Sequence, residues 1–245
     1  MKPAILQVIS KPLKIVLDNH PIQLPESFLS EVNTFWSRYN HDNRFTNGEV
    51  FHIHEVKETD REMILYLKSS NYAHYLYSVK TDICLHACRV IYGAGLVETS
   101  DSYLVFGAMN ELTAYPGRLQ CVGGGLNRSD LHGNQFKLQD SVLREMTEEL
   151  GIHIDCVKAC SIRFLKTGGD YDFIAVLFHI ELELTRDQLM DKYNEFSKDL
   201  LANGEETEFV ELILVMNEPD VLDAFIQHNH RPSVDYLIPL LKQLK

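Results

Sequence analysis

The chain has 245 residues, 45% of them hydrophobic, enough to bury a substantial core in one large or two small domains. Its 23 Lys and Arg stand against 35 Asp and Glu, a net charge of −12 that repels polyanions and excludes nucleic acid as the expected partner. The longest apolar runs, such as Phe173 to Phe178, are too short to span a membrane, and no basic-then-apolar leader opens the sequence. A cytoplasmic location with no membrane contact is therefore expected. The cysteines Cys84, Cys88, Cys121, Cys156 and Cys160 are odd in number and lack Cys-x-x-Cys spacing, so they read as reduced, mostly buried thiols.

From Met1 to Pro25, short apolar runs broken by Pro3, Pro12, Pro21 and Pro25 suit strands and turns. Phe28, Leu29, Val32, Phe35, Trp36 and Tyr39 then recur at three and four, the period of an amphipathic helix that ends at the turn residues Asn40 to Asn43. Val50 to Val56 and Glu62 to Lys68 read as a β-hairpin linked by Lys57 to Arg61. Tyr72, Tyr75, Leu76 and Tyr77 suggest a short aromatic helix leading towards Cys84, more a packing device than a stacking surface for a base.

The task of the chain changes between residues 82 and 90. Val90 to Val97 and Tyr103 to Phe106 read as strands joined by a polar turn, and Arg118 to Val122 as a third strand running into Gly123, Gly124 and Gly125. Further strands are expected at Ala159 to Lys166, Phe173 to Leu184 and Phe209 to Met216, with a helix from Thr185 to Leu201 between the last two. Helical patterns at Val221 to Gln227 and Ser233 to Leu244 follow, the second with a kink at Pro239.

The most informative stretch runs from Arg144 to Ile152. Helical spacing puts Glu145, Glu148 and Glu149 on one face and Val142, Met146 and Leu150 on the other, where they seat the helix on a core and leave the carboxylates pointing away from it. Like charges so placed repel, and a tight carboxylate cluster suits a hard cation such as Mg²⁺ that takes oxygen ligands together with substrate phosphates. Gly151 closes the helix, since glycine enters the left-handed conformation freely.

Gly125 to Ile152 resembles the Nudix box, which reads Gly, five residues, Glu, seven residues, Arg-Glu-apolar-x-Glu-Glu-x-Gly-apolar. All nine positions from Arg144 to Ile152 match. The upstream half departs: the family places Arg fourteen residues after Gly, whereas Gly125 to Arg144 is nineteen, and the lone upstream Glu falls on Phe136 counted back from Arg144 or on Asp130 counted forward from Gly124. The resemblance implies an α+β fold, a Nudix-type α/β/α sandwich with a mixed sheet over residues 86 to 245, preceded by a small α+β accessory and substrate-recognition region over residues 1 to 85. The order in that first region of a helix, an Asn-Gly turn, Phe51-x-x-His54 and Asn71-Tyr72-Ala73-His74-Tyr75-Leu76 is similar to Nudix enzymes that hydrolyse UDP-sugars.

By the same resemblance Glu145, Glu148 and Glu149 are expected to bind Mg²⁺ or Mn²⁺, with Arg144 orienting them. Gly123, Gly124, Gly125 and Arg118 are expected to meet substrate phosphate. A further glutamate before Phe209 serves as base, Glu206 ahead of Glu205 and Glu208. The implied reaction is hydrolysis of a nucleoside diphosphate linked to another moiety, such as a UDP-sugar, to a nucleoside monophosphate and a sugar phosphate. A dinucleotide or nucleotide cofactor as substrate, a non-catalytic nucleotide-binding module, and a homodimeric assembly are the alternatives that stay open. His52, His54, His74, His228 and His230 have no spacing that implies zinc.

Overall fold

The computed structural model describes residues 3–81, 85–169 and 171–244. Cys84, one of the expected reduced thiols, lies outside the described residues; Cys88, Cys121, Cys156 and Cys160 are free, the first two buried and the others half-buried.

In chain order the elements are β1 (Ala4–Val8), β2 (Leu13–Leu17), α1 (Glu26–Tyr39), β3 (Glu49–Glu58), β4 (Met63–Asn71), α2 (Tyr72–Lys80), β5 (Ile91–Glu98), β6 (Tyr103–Met109) and β7 (Leu119–Gln120). There follow β8 (Leu131–His132), β9 (Gln135–Phe136), α3 (Leu138–Leu150), β10 (Val157–Gly168), β11 (Ile174–Leu182), α4 (Arg186–Ala202), β12 (Phe209–Met216), α5 (Pro219–His228) and α6 (Leu237–Gln243). The large sheet runs β1-β10-β11-β5-β6-β12, with β7 beside β6; the small sheet runs β3-β4-β2-β9-β8. Parallel and antiparallel pairs mix in both, as β5 lies parallel to β11 and antiparallel to β6, while β2 lies parallel to β4 and antiparallel to β9.

Apolar residues of α3 and α4 pack on one face of the large sheet: Val142, Met146, Leu150, Leu189 and Tyr193 share a cluster with Val176, Phe178 and Ile180 of β11. Leu222 of α5 and Leu237, Leu240 and Leu241 of α6 cover the other face over Leu104, Phe106 and Leu177. The result is an α/β/α sandwich in which both sheet faces are dry, which is why β11 reads as a nearly unbroken apolar run. Helix α3 sits close on β5 because Gly93 leaves room: a Cβ there would come within 2.2 Å of Val142 Cγ2. No described helix is long and apolar enough to cross a membrane.

Three expectations are corrected. The last helix begins at Leu237 rather than Ser233, because Leu119 N donates to Pro232 O (2.8 Å) and Val234 N to Leu119 O (2.9 Å), which holds that segment extended beside β7. Pro239 consequently stands in the first turn of α6, where its missing N–H breaks no hydrogen bond, and it makes no kink in a longer helix. The strand expected over Arg118 to Val122 is pared to Leu119–Gln120, with Val122 bridging to Gly95. Residues on both sides of position 85 enter both sheets: β1 pairs with β10 in the large sheet, and β8 and β9 extend the small one.

Candidate active site

The site is built on α3. Val142, Met146 and Leu150 are fully buried, as their spacing requires, and Gly151 caps the helix at φ 66°. The glutamates diverge in environment. Glu148 is 57% exposed, Glu145 is half-buried, and Glu149 is only 2% exposed, so the expectation that all three carboxylates leave the core is corrected at Glu149. Its buried Oε2 accepts a hydrogen bond from Gly123 N at 2.9 Å. That bond spends the Gly123 amide on the protein, leaving it unavailable to a phosphate. Gly124 faces Glu145 so closely that a Cβ would lie 2.9 Å from the glutamate Cδ, which explains the second glycine by contact rather than by turn geometry. Around Gly125 nothing approaches within 4 Å, and this residue stays open to a ligand.

Arg144 ties the carboxylates together. Its Nη1 lies 2.9 Å from Glu145 Oε1 and 2.7 Å from Glu148 Oε2, and its Nε and Nη2 donate to the two oxygens of Asp130 at 3.3 and 3.2 Å. Burial alone would disfavour the guanidinium charge, but Asp130, Glu145 and Glu148 outweigh it and raise the Arg144 pKa. Asp130 is itself 4% exposed and also accepts from Asn127 N at 2.8 Å. Asp130, the position counted forward from Gly124, is thus joined to the α3 carboxylates through Arg144. The extra length is the six residues 131–136, which fold as the β8–β9 hairpin and join the small sheet through the Val16–Gln135 pair. Phe136, the other position considered, is buried with its ring 4.7 Å from that of Phe51.

Glu208 joins this group from the loop before β12. Its charge raises the pKa values of both Glu145 and Glu149, and its own is raised by burial and by Glu148. Burial, followed by the charges of Glu148 and Glu208 working against Arg144, pushes Glu145 up to about 7. Glu149 is driven well up by burial and by Glu208, against the Gly123 hydrogen bond. Glu206 lines the same cavity, and both Glu205 and Glu206 are exposed. Of the three glutamates in this loop, all exposed at the surface, Glu208 is the one whose charge reaches the α3 carboxyls.

Among the described residues no three His, Cys, Asp or Glu side chains are gathered to hold a metal ion as they stand. The donor chemistry nevertheless fits a hard divalent cation: carboxyl groups that raise one another's pKa are groups whose repulsion such an ion relieves.

Glu145, Arg144 and Glu208 line a cavity of about 880 Å³. One wall is aromatic, with Phe45, Tyr72 and Tyr75 from the first third of the chain and Phe173 from β11's approach. Tyr72 and Tyr75 stack at 5.5 Å between centroids, and Tyr75 and Phe173 at 5.7 Å. Arg118, proposed from sequence to meet substrate, lines the cavity with its guanidinium carbon 3.8 Å from the Tyr115 ring centroid and Nη2 donating to Gln120 Oε1 at 2.8 Å.

A sandwich that presents an Arg-Glu-x-x-Glu-Glu helix beside a glycine turn defines a carboxylate site for phosphate chemistry. No family model matches the chain, and no curated protein does. Solved structures similar to it include DR0079 from Deinococcus radiodurans, at 15% identity and TM-score 0.42, covering 64% of this chain and 83% of that one. A MutT protein from Methanosarcina mazei is 13% identical with TM-score 0.40, covering 64% and 92%. The Nudix domain of Shewanella oneidensis NrtR, solved with ADP ribose, is 10% identical with TM-score 0.39, covering 63% and 85%. The functional reading is carried by the residues of α3 and its glycine turn, not by these likenesses.

Proposed function

We propose that this chain is a metal-dependent Nudix hydrolase of a nucleoside diphosphate linked to another moiety, with a UDP-sugar as the substrate. The observation that carries the reading is the geometry of the α3 carboxylates, with Arg144 bonded to Glu145, Glu148 and Asp130 and Glu149 bonded to Gly123 N, beside a cavity large enough for a nucleotide sugar. Glu145, Glu148 and Glu149, with Glu208, are the residues that would hold Mg²⁺ or Mn²⁺. Bound there, the cation supplies Lewis acidity at the phosphoryl oxygens.

The chain's own groups do the rest. Arg144 keeps Glu145 and Glu148 in place by charge-assisted hydrogen bonds, and Asp130 keeps Arg144 in place. Glu208, with its raised pKa and its place beside the helix carboxyls, is suited to take a proton from the attacking water; Glu206 is the second candidate from the same loop. Residues 1–85 contribute substrate recognition through the aromatic wall of Phe45, Tyr72 and Tyr75. The free thiols and the charge of −12 accord with a cytoplasmic protein that binds small phosphates, and a homodimer remains the proposed assembly.

The test is a panel of nucleoside diphosphate derivatives incubated with Mg²⁺ or Mn²⁺, the products resolved by chromatography. A nucleoside monophosphate and a sugar phosphate are expected from UDP-sugars. Absence of product from every compound, or equal product from Glu148→Gln, overturns the reading.

A further inference from the structure

Away from α3 the cavity has a polar corner that the proposed chemistry does not use. Lys166, near the end of β10, is 1% exposed, and its ammonium lies 2.7 Å from Asp235 Oδ2 and donates to Phe173 O at 3.2 Å. Burying an ion pair is costly and is seldom a source of net stability. This one is also sterically exacting: Gly169, at φ 82°, would as any other residue place a Cβ 1.9 Å from Asp235 Oδ2 and 2.8 Å from Lys166 Nζ. Asp235 is 27% exposed by side chain and lines the cavity, so the carboxylate held by Lys166 is within reach of a ligand.

Arg118 and Gln120 stand next to it. The backbone bonds from Leu119 to Pro232 and Val234 bring the segment carrying Asp235 against the strand carrying Arg118 and Gln120, and Tyr92 and Tyr115 feel the charges of both Asp235 and Arg118. Arg118 forms no ion pair among the described residues, and its Nε is the buried side-chain atom there without a hydrogen-bond partner. A buried charged donor left unsatisfied is expensive, and calls for a ligand acceptor. The corner therefore offers a fixed carboxylate acceptor beside guanidinium and amide donors, with the tyrosines Tyr92, Tyr115 and Tyr236 around it.

We infer that the corner formed by Asp235, Lys166, Arg118 and Gln120 binds a vicinal diol of a sugar ring, one hydroxyl donating to Asp235 and its neighbour accepting from Arg118. The inference rests on the nucleotide-sugar reading for its ligand and deepens it by naming the residues that read the sugar. Lys166 acts through Asp235, holding that carboxylate in place by the 2.7 Å contact. A diol matches because it offers donor and acceptor on adjacent atoms, whereas a phosphate offers acceptors alone and would be repelled by Asp235. Two rings of such a substrate carry diols, the ribose and the pyranose.

Calorimetric titration separates them, with the Glu148→Gln protein in Mg²⁺ used to stop turnover and three ligands: UDP-glucose, UDP, and the 2′,3′-dideoxyuridine form of UDP-glucose. Adding Asp235→Asn is expected to weaken UDP-glucose about tenfold or more, the effect of removing a charged hydrogen-bond partner. A penalty spared to UDP assigns the corner to the pyranose, and one spared to the dideoxy ligand assigns it to the ribose. Equal penalties on all three, or none on any, overturn the inference. Should Asp235→Asn fail to fold by thermal melting, Arg118→Gln is read by the same comparison. Diol-dependent binding in a protein that cleaves no nucleoside diphosphate would sink the hydrolase reading and leave the corner standing.

Discussion

Asp130 shows how much a single side chain can organise. It neutralises Arg144 from one side while Glu145 and Glu148 do so from the other, and it fastens the Asn127 turn that leads into the inserted hairpin. Loss of such a supporting partner typically costs 10–100-fold in metal affinity or activity, so Asp130→Ala is expected to lower kcat/KM by about that factor, checked by steady-state kinetics across a Mg²⁺ titration. In the late loop, Glu208→Gln is expected to reduce kcat far more than it changes KM, while Glu205→Gln leaves both near normal; Glu206→Gln should fall close to Glu205→Gln, and the reverse order would return the base role to Glu206. His52 gives a pH handle remote from the carboxylates. Burial, then the neighbouring charges of His74, His54 and Arg89, lower its pKa from 6.5 to about 4. A depressed folded-state pKa means stability that is present above pH 6.5 and lost as pH falls through about 4, amounting to about 3 kcal/mol at most. Chemical denaturation of His52→Gln beside the parent protein should show a shallower loss of stability over that window.

At the scale of elements, α3 was legible as an amphipathic helix, the burial of Glu149 apart, because its apolar stripe keeps one period and a glycine ends it. Met146 is fully buried, and Met146→Ala should cost roughly 2–5 kcal/mol, read as a lower denaturation midpoint. Met146→Asp should unfold the chain outright, since it buries a charge with no partner. What periodicity did not reveal was decided by contacts distant in sequence. The six residues of the β8–β9 hairpin carry no long pattern of their own and exist as strands through β2, while Ser233 and Val234 stay extended through Leu119. Glu149 sits at a position that helix spacing marks as polar, and only the approach of Gly123 shows that it is buried and bonded. The Lys166–Asp235 pair had no signal at all: a lysine within an apolar strand reads as an interruption until its partner, far along the chain, is brought to it.

For the whole molecule, the two sheets share the chain in an interleaved way. The first 85 residues were expected to act as a separate recognition region, and they supply Phe45, Tyr72 and Tyr75 to the cavity, yet they also supply β1 to the large sheet and receive β8 and β9 into the small one. Arg128 adds a bidentate pair to Glu49 of β3 at 2.7 and 2.9 Å across the same junction. A chain starting at residue 86 is accordingly expected to lose its cooperative thermal transition, because β10 and β9 would each expose an unpaired edge. A sharp melt for that fragment, by calorimetry, would show the second part to be an independent folding unit.

The pairing of β1 with β10 has a consequence during synthesis. Ala4 meets Gly168, 164 residues further on, so a strand made early must wait for a partner made late. At ordinary ribosomal speeds of about 5–20 residues per second, that wait lasts roughly 8 to 33 s. Throughout it, Ile5, Leu6 and Val8 present an apolar edge with no mate, while the small sheet's β3–β4 hairpin can already form from local residues. The edge of β1 thus stays unpaired until translation has passed β10, and the large sheet is complete only once β12 has been made.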